Sequence, residues 1–413
     1  MRRYDSYKDS GVAWVGEIPE HWDIHKVKEH FTERKEKVSD KDFPPLSVSK
    51  MGVVPQLDDA CKTDNGDNRK LVCKGDYVVN SRSDRKGSCG VSSLTGSVSL
   101  INIVLCPRNI NSLYIHYMFR SNGYIEEFYR NGRGIVADLW TTRYTEMRNI
   151  YIPVPPLDEQ HNIVEFLDEK TAKIDTYIQE KEKEIRSLEE LKQAEIVFAV
   201  THGINPNVPM KDSGVAWIGE IPEHWDIHKV KEHFTERKEK VSDKDFPPLS
   251  VSKMGVVPQL DDACKTDNGD NRKLVCKGDY VVNSRSDRKG SCGVSSLTGS
   301  VSLINIVLCP RNINSLYIHY MFRSNGYIEE FYRNGRGIVA DLWTTRYTEM
   351  RNIYIPVPPL DEQQQIVEYI QQKTAQIDKY ISDVKRQIDS LKEYRQRLIC
   401  DAVTGRINVQ PKL

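Results

Sequence analysis

Four short strings in the first half of the chain gather arginine, lysine, asparagine and serine among small residues. NSRSDRKGS (Asn80–Ser88) carries Asn80, Arg82, Arg85 and Lys86, and YRNGRG (Tyr129–Gly134) carries Arg130 and Arg133 around Asn131. TTRY (Thr141–Tyr144) adds Arg143, and LSVSKMG (Leu46–Gly52) adds Ser47, Ser49 and Lys50. A guanidinium fork matches the acceptor edge of guanine, and a carboxamide matches adenine. Hydroxyls, ammonium groups and backbone amides hold phosphate. One such string is an ordinary solvated basic loop. Here there are four, and they return as Ser250, Lys253, Asn283, Arg285, Arg288, Lys289, Arg333, Arg336 and Arg346. That clustering points to nucleic acid as a ligand.

Bond-making chemistry is harder to find. The sequence has no G-x-G-x-x-G, no Walker string, no H-E-x-x-H and no G-x-S-x-G. A DNA adenine methyltransferase is expected to carry an Asn/Asp-Pro-Pro-aromatic tetrapeptide for a flipped base. The Pro-Pro pairs here stand in FPPLS and VPPLD instead. His21, His25 and His30 lie near Glu17, Glu20 and Glu29, which imitates a metal or acid–base cluster. They read instead as surface residues on a strand-to-helix segment. Cys61, Cys73, Cys89 and Cys106 recur as Cys264, Cys276, Cys292 and Cys309, with Cys400 left over. No C-x-x-C pair or metal-ligand spacing links them, so they read as free thiols, most of them in cores, and no metal site is expected.

The 59 basic and 59 acidic side chains cancel, so any binding of a polyanion must rest on a local basic face. No run of eighteen apolar residues spans a membrane, and no apolar stretch follows the basic N-terminus. The expected location is the cytoplasm.

An internal repeat positions all of these residues. Asp9–Gln160 returns as Asp212–Gln363 at an offset of 203, with one change, Val15 to Ile218. Such a period is a domain duplication rather than a solenoid. Within each copy, YVVNS, VSLINIVL and IYIPV read as strands, while SLYIHYMFRSNGYIEEFYR has helical spacing. The fold class is therefore α+β, with prominent loops.

After each copy comes a long helix. Pro155-Pro156 stops the preceding strand, and Asp158 and Asp361 are placed as N-caps. Apolar residues then recur at heptad spacing: Val164, Leu167, Ile174, Ile178, Ile185 and Leu188, and again Val367, Ile370, Ile377, Ile381, Val384, Ile388 and Leu391. Gly203 and Gly405 punctuate the ends. His161–Asn205 holds ten acidic and six basic side chains, whereas Gln364–Leu413 holds six acidic and nine basic. Pairing the two helices with each other is electrostatically favoured over pairing like with like.

The opening of each module, DSGVAWIGEIPEHW in the second copy (Asp212–Trp225), resembles the start of specificity subunits of type I restriction–modification systems. IPVPPLDEQ (Ile152–Gln160, Ile355–Gln363), AVTHGINPNVPMKDSG (Ala199–Gly214) and AVTGRI (Ala402–Ile407) resemble that family's later conserved regions, in the same order. The resemblance implies two mixed α/β target-recognition domains, residues 9–156 and 212–359. They are held apart by conserved helices, residues 157–204 and 360–405, that form an antiparallel coiled coil. It further implies that each domain reads one half of a split site in double-stranded DNA while the helices set the gap. The partners implied are two methyltransferase subunits, which carry S-adenosylmethionine, and restriction/translocation subunits; this chain itself would hold no cofactor and no catalytic residue. Members of the family usually carry two different recognition domains, and here 151 of 152 residues are the same. A reading from a different class is a coiled-coil scaffold whose modules bind protein.

Overall fold

A computed structural model describes residues 2–57, 66–134, 140–260, 269–336 and 343–411; Cys61 and Cys264 lie outside them. The chain forms two compact units, one of Met1–Lys181 with Lys385–Leu413 and one of Glu182–Val384. Each unit thus holds one copy of the repeat, the beginning of the long helix that follows it and the end of the other long helix.

Inside the first module a four-stranded antiparallel sheet runs in the order Cys89–Val91, Tyr77–Asn80, Asn102–Pro107, Phe31–Glu33. Tyr77, Val78 and Val79 are all buried, because both faces of this central strand are covered. Val78 and Val104 pack with Leu46, Val53, Val72 and Val98, which belong to a neighbouring hairpin and three-stranded sheet. Tyr77 faces the helices, its ring edge-on to Phe119 at 5.2 Å.

Two segments divide more finely than their sequence pattern suggests. The string SLYIHYMFRSNGYIEEFYR forms two helices, Ser112–Phe119 and Asn122–Arg130, because Ser121 turns its hydroxyl onto the Tyr124 amide and caps the second one. Likewise VSLINIVL is two strands, Gly96–Val98 and Asn102–Pro107, joined by a turn that exposes Leu100 and Ile101.

Tyr151–Val154 pairs with Asp23–Lys26 and leads through two prolines into the first long helix, Leu157–His202. The second long helix is Leu360–Val403. Asp158 and Asp361 are not N-caps: both lie inside the first turn. The paired prolines fix the backbone so that Leu157 and Leu360 are already helical, and the carboxylates meet the positive helix end instead. Buried Gln160 locks this start, donating to the Pro155 carbonyl (2.8 Å) and accepting the Asn111 amide (2.8 Å).

The far ends of the helices dock on the modules. The buried Tyr114 hydroxyl lies 3.0 Å from the carbonyls of both Pro153 and Val403, and in the other unit Tyr317 meets Pro356 and Val200 at 3.1 Å. Gly405 follows with φ +74, and a Cβ there would stand 2.4 Å from Pro19, so only glycine fits.

The first long helix packs against the second. In one unit Arg395 Nε is 2.9 Å from Asp175; in the other Lys192 Nζ is 2.7 Å from Asp378, while Tyr369 and Tyr380 donate to Glu195 and Glu184. The residue numbers rise along one helix as they fall along the other, so the pair is antiparallel. Val164, Leu167, Ile174, Ile178, Val367, Ile370, Ile381, Val384 and Ile388 are buried; Ile185, Leu188, Ile377 and Leu391 are half-buried. Val367 and Ile370 also enter the module core, together with Ile196, Ala199 and Val200.

Two further expectations need correction. His30 is not a surface residue: it is buried, with its ring stacked on His25 and Nε2 2.7 Å from His25 Nδ1, and burial lowers its pKa. Of the described cysteines only Cys89 and Cys292 are fully buried; Cys73, Cys106, Cys276, Cys309 and Cys400 are half-buried thiols. They sit in turns and at element ends, where the core does not close over them. No described helix is long and apolar enough to cross a membrane.

One ion pair braces each module. Arg34 grips Asp76 through two bonds of 2.7 and 3.0 Å, and Asp76 also accepts the Cys73 amide at 2.8 Å. Asp76 is nearly buried, so Asp76→Ala leaves a guanidinium and an amide without their acceptor. A loss of about 3 kcal/mol is expected, read as a lowered urea midpoint, and Asp279→Ala is expected to match it.

Candidate nucleic-acid interface

The four basic strings lie up to about a hundred residues apart in sequence, and backbone hydrogen bonds gather three of them. Thr141 forms the middle of a short ladder, bridging Arg82 on one side and Arg133 on the other. The bonds are Thr142 N–H to Ser81 O (3.0 Å), Ser83 N–H to Trp140 O (2.9 Å), and a reciprocal pair between Arg133 and Thr141 at 3.0 and 3.1 Å. Directly paired residues on antiparallel strands point to the same face. Arg82, Thr141 and Arg133 therefore share one, and Arg143, two residues beyond Thr141 in extended backbone, joins them.

The opposite face of the ladder is anchored. Ser81 and Thr142 are buried, and the Thr142 hydroxyl donates to the Phe128 carbonyl at 2.9 Å. The Tyr129 hydroxyl, half-buried at the edge, lies 3.2 Å from Asn80 O and 3.4 Å from Arg85 O, so it ties the end of the Asn122–Arg130 helix to the Arg82 loop. Burial raises the pKa of that phenol, which therefore keeps its proton and acts as a donor.

Electrostatically the face is self-neutralised. Arg82 holds Asp84 through two bonds of 2.9 and 3.0 Å, and Arg85 stands 3.6 Å from the same carboxylate. Lys86 pairs with Glu126 (3.1 Å), Arg130 with Glu127 (3.1 Å) and Arg133 with Glu146 (3.6 Å). All five cations are exposed; Glu127 and Glu146 are half-buried, while Asp84 and Glu126 are exposed, and exposed pairs of this last kind hold weakly. A phosphate can displace such a carboxylate at little cost. Among the described residues Arg143 and Lys50 have no carboxylate within ion-pair distance. The second module repeats the arrangement: Arg285 with Asp287 (2.9 Å), Arg288 with Asp287 (3.6 Å), Lys289 with Glu329 (3.0 Å), Arg336 with Glu349 (3.8 Å), and Arg333 with Glu330. Arg285 and Arg336 again flank a threonine, Thr344, and Arg346 takes the place of Arg143.

Not every candidate sits on this face. Asn131 spends its amide on the Glu127 carbonyl (2.8 Å), closing its own helix. Asn80 uses its side-chain oxygen to accept the Arg82 amide (3.2 Å) and shapes the loop, as Asn283 does for Arg285. Ser47 and Ser250 are half-buried in a hairpin strand. Lys50 and Lys86 line a cleft of about 350 Å³ between the module and the second long helix, with His116, Arg120 and Arg395. Lys253, Lys289, His319, Arg323 and Lys192 line the equivalent cleft of the other unit.

Three positions in each module escaped the sequence reading. Trp140 and Trp343 stand 38% exposed on the ladder, large aromatic surfaces beside the arginines. Their signal was the tryptophan that precedes TTRY. Arg120 and Arg323 enter the clefts from FRSNG, a string that reads as a helix end. Thr141 and Thr344 carried no signal beyond their neighbours. Among the described residues no group of three His, Cys, Asp or Glu side chains could hold a metal ion.

A family model described as the type I restriction modification DNA specificity domain matches residues 70–187 and 272–388, together more than half of the chain. A Methanocaldococcus jannaschii protein described as the MjaX type I restriction enzyme specificity subunit is 23% identical over 445 residues, covering 96% of each chain. The MjaVIII specificity subunit of the same organism is 37% identical over 84 residues, 20% of this chain and 18% of that one. Two solved structures share the fold. One, from work on complex assembly and conformational transition of the type I R-M system, has a TM-score of 0.65 at 15% identity and covers 94% of this chain and 98% of its own. The other, the HsdS subunit from Thermoanaerobacter tengcongensis, has a TM-score of 0.52 at 17% identity with the same coverage.

The Tyr129 tie yields a direct test. Tyr129→Phe removes the bond to Asn80 and is expected to cost about 1 kcal/mol of module stability. Amide exchange at Ser83 and Thr142 should quicken more than exchange in the central strand Tyr77–Asn80.

Proposed function

The chain belongs to the family of type I restriction–modification DNA specificity proteins, and on that premise we propose that its two modules read a bipartite site in duplex DNA through the Arg82–Thr141–Arg133 ladder and its copy. It is a specificity subunit, not a catalytic one. The observation that carries the proposal is the ladder itself: arginines from three separated strings converge on one face, in both modules, with their guanidinium groups exposed. Arg143, without a carboxylate partner among the described residues, is the group best placed to meet phosphate or a base edge first.

On this reading the chain works in the cytoplasm and recruits methyltransferase subunits, which bring S-adenosylmethionine, and restriction/translocation subunits. Residues 9–156 and 212–359 are the recognition domains, and residues 157–204 and 360–405 are the helical connectors. Arg82, Arg85, Arg130, Arg133 and Arg143, with Arg285, Arg288, Arg333, Arg336 and Arg346, supply the DNA face. Lys50, Lys86, Lys253 and Lys289 extend it toward the long helices.

The test is duplex binding at several salt concentrations. Displaced counterions give a steep negative slope of log affinity against log salt, one that a protein-binding scaffold would lack. Alanine at all five arginines of one module should weaken binding at least 100-fold and flatten the slope; unchanged binding would remove this face from the proposal. Single changes at base-reading arginines should each cost about 1–3 kcal/mol and relax one position of the site.

Identical modules must read identical half-sites, and symmetry of the protein is mirrored in the site. The expected motif is an interrupted palindrome, measurable by sequencing modified bases in cells that carry this chain with its methyltransferase partner. Two unrelated half-sites would contradict it, since Val15 against Ile218, both buried, lies far from the basic loops in sequence and cannot reach a base.

A further inference from the structure

The string Leu46–Gly52 carries, besides Ser47 and Lys50, an exposed methionine, Met51. Met51 is 86% exposed, and so is Met254 in the second module. A lone exposed apolar residue is commonplace. This one stands at the tip of a fixed hairpin beside the basic loop.

The hairpin pairs Leu46–Ser49 with Gly52–Pro55, and its register leaves Lys50 and Met51 as the turn. Neither has positive φ, while Gly52 takes φ +107, the pattern of a tight turn closed by a left-handed glycine. Leu46 and Val53 root the strands in a buried apolar cluster. The Ser49 hydroxyl accepts the Met51 amide at 3.1 Å, and Gly90 lies against Gly52 so closely that a Cβ on it would stand 3.1 Å from the Gly52 Cα.

Arg120 fixes the tip from the side, its guanidinium donating to the Lys50 carbonyl. The same guanidinium stands 3.0 Å from His116 Nε2. Burial and the Arg120 charge lower the pKa of His116 to about 4, so its neutral ring accepts from the arginine. Arg323, His319 and Lys253 repeat the brace. Lys50 lines the same cleft as Lys86 and Gly87, which places the tip next to the loop that carries Arg82 and Arg85.

A two-stranded ribbon fits the major groove of B-form DNA, where the thymine methyl is the apolar mark on a base edge. We propose that the Lys50–Met51 tip, with Lys253–Met254, is a base-reading probe in which Lys50 meets phosphate, Met51 packs on a thymine methyl, and Arg120 is the positioning residue. This rests on the DNA-reading role proposed above.

The test uses the full chain assembled with its methyltransferase subunits. Met51→Ala with Met254→Ala changes only exposed side chains, so the fold is kept. Duplexes carrying uracil for each thymine of the half-site in turn are compared with the parent site. The unaltered protein should lose about tenfold in affinity at one thymine, in the lower part of what one mismatched pair costs. The double alanine variant should lose about tenfold on the parent duplex, ignore that uracil swap, and methylate a motif degenerate at that one position. Arg120→Ala with Arg323→Ala should relax the same position, and combining it with the methionine changes should add nothing.

An unchanged motif and affinity in the methionine variant overturns the proposal. So does an equal loss on every sequence, or a half-site without an A·T pair. If the unaltered protein shows no salt-dependent duplex binding, the DNA-reading role fails instead, and the two failures are told apart by that control.

Discussion

Each long helix carries an apolar stripe too narrow to fold upon itself and too long to leave in water. Burying it against the other helix is the constraint on which the rest depends. The contacts that accompany it are of two kinds. Lys192–Asp378 and Arg395–Asp175 are one contact made twice at the repeat offset, and it would survive exchange of the helices. The Tyr369–Glu195 and Tyr380–Glu184 bonds are not duplicated: the residues at the repeat-equivalent positions are Phe166 with Leu398 and Tyr177 with Gln387. Exposed ion pairs contribute at most about 1 kcal/mol each. Apolar burial therefore supplies the stability, and the unduplicated bonds favour pairing the acidic helix with the basic one.

From that pairing the modules acquire their second support. Val200 and Val403, in the last turns of the helices, lie under the hydroxyls of Tyr317 and Tyr114, and the glycine after each helix lies close to a buried tryptophan, Trp225 or Trp22. Identical modules nevertheless meet different surroundings. In the first unit Glu159 accepts from Trp22 Nε1 and Tyr4, each at 3.0 Å, and the C-terminal tail returns to the Arg2 carbonyl. In the second unit Glu362 keeps only the equivalent histidine pair, with His224 as Glu159 has with His21, and Trp225 Nε1 has no hydrogen-bond partner among the described residues. A near-perfect sequence repeat is therefore not a perfect repeat of bonds.

The basic face shows why a chain with zero net charge can suit a polyanion. Its exposed arginines stand in pairs with Asp84, Glu127 and Glu146, which keep the unbound surface near neutral and position the guanidinium groups. A DNA phosphate offers the same bidentate geometry, and the backbone repeats it along the duplex. What holds the face in shape lies beneath it, in Thr142, Tyr129 and Ser81, none of which needs a charge.

The amino-acid sequence by itself determined the duplication, the two long helices, their preference for each other and the presence of arginine-rich loops. Period, heptad spacing and charge balance are local properties that survive without knowledge of any contact. It misplaced what depends on competition between neighbours, as when Ser121 split one helical run in two and the prolines moved Asp158 from cap to first turn. Tertiary structure alone decided which loops meet. Arg82, Arg133 and Thr141 join through backbone bonds that no spacing encodes, Asn131 turns inward to close its helix, and Lys50 stands on a hairpin of its own rather than in the ladder. Hydrogen bonds between distant segments are chosen by packing beneath them, and that packing exists only once the chain has folded.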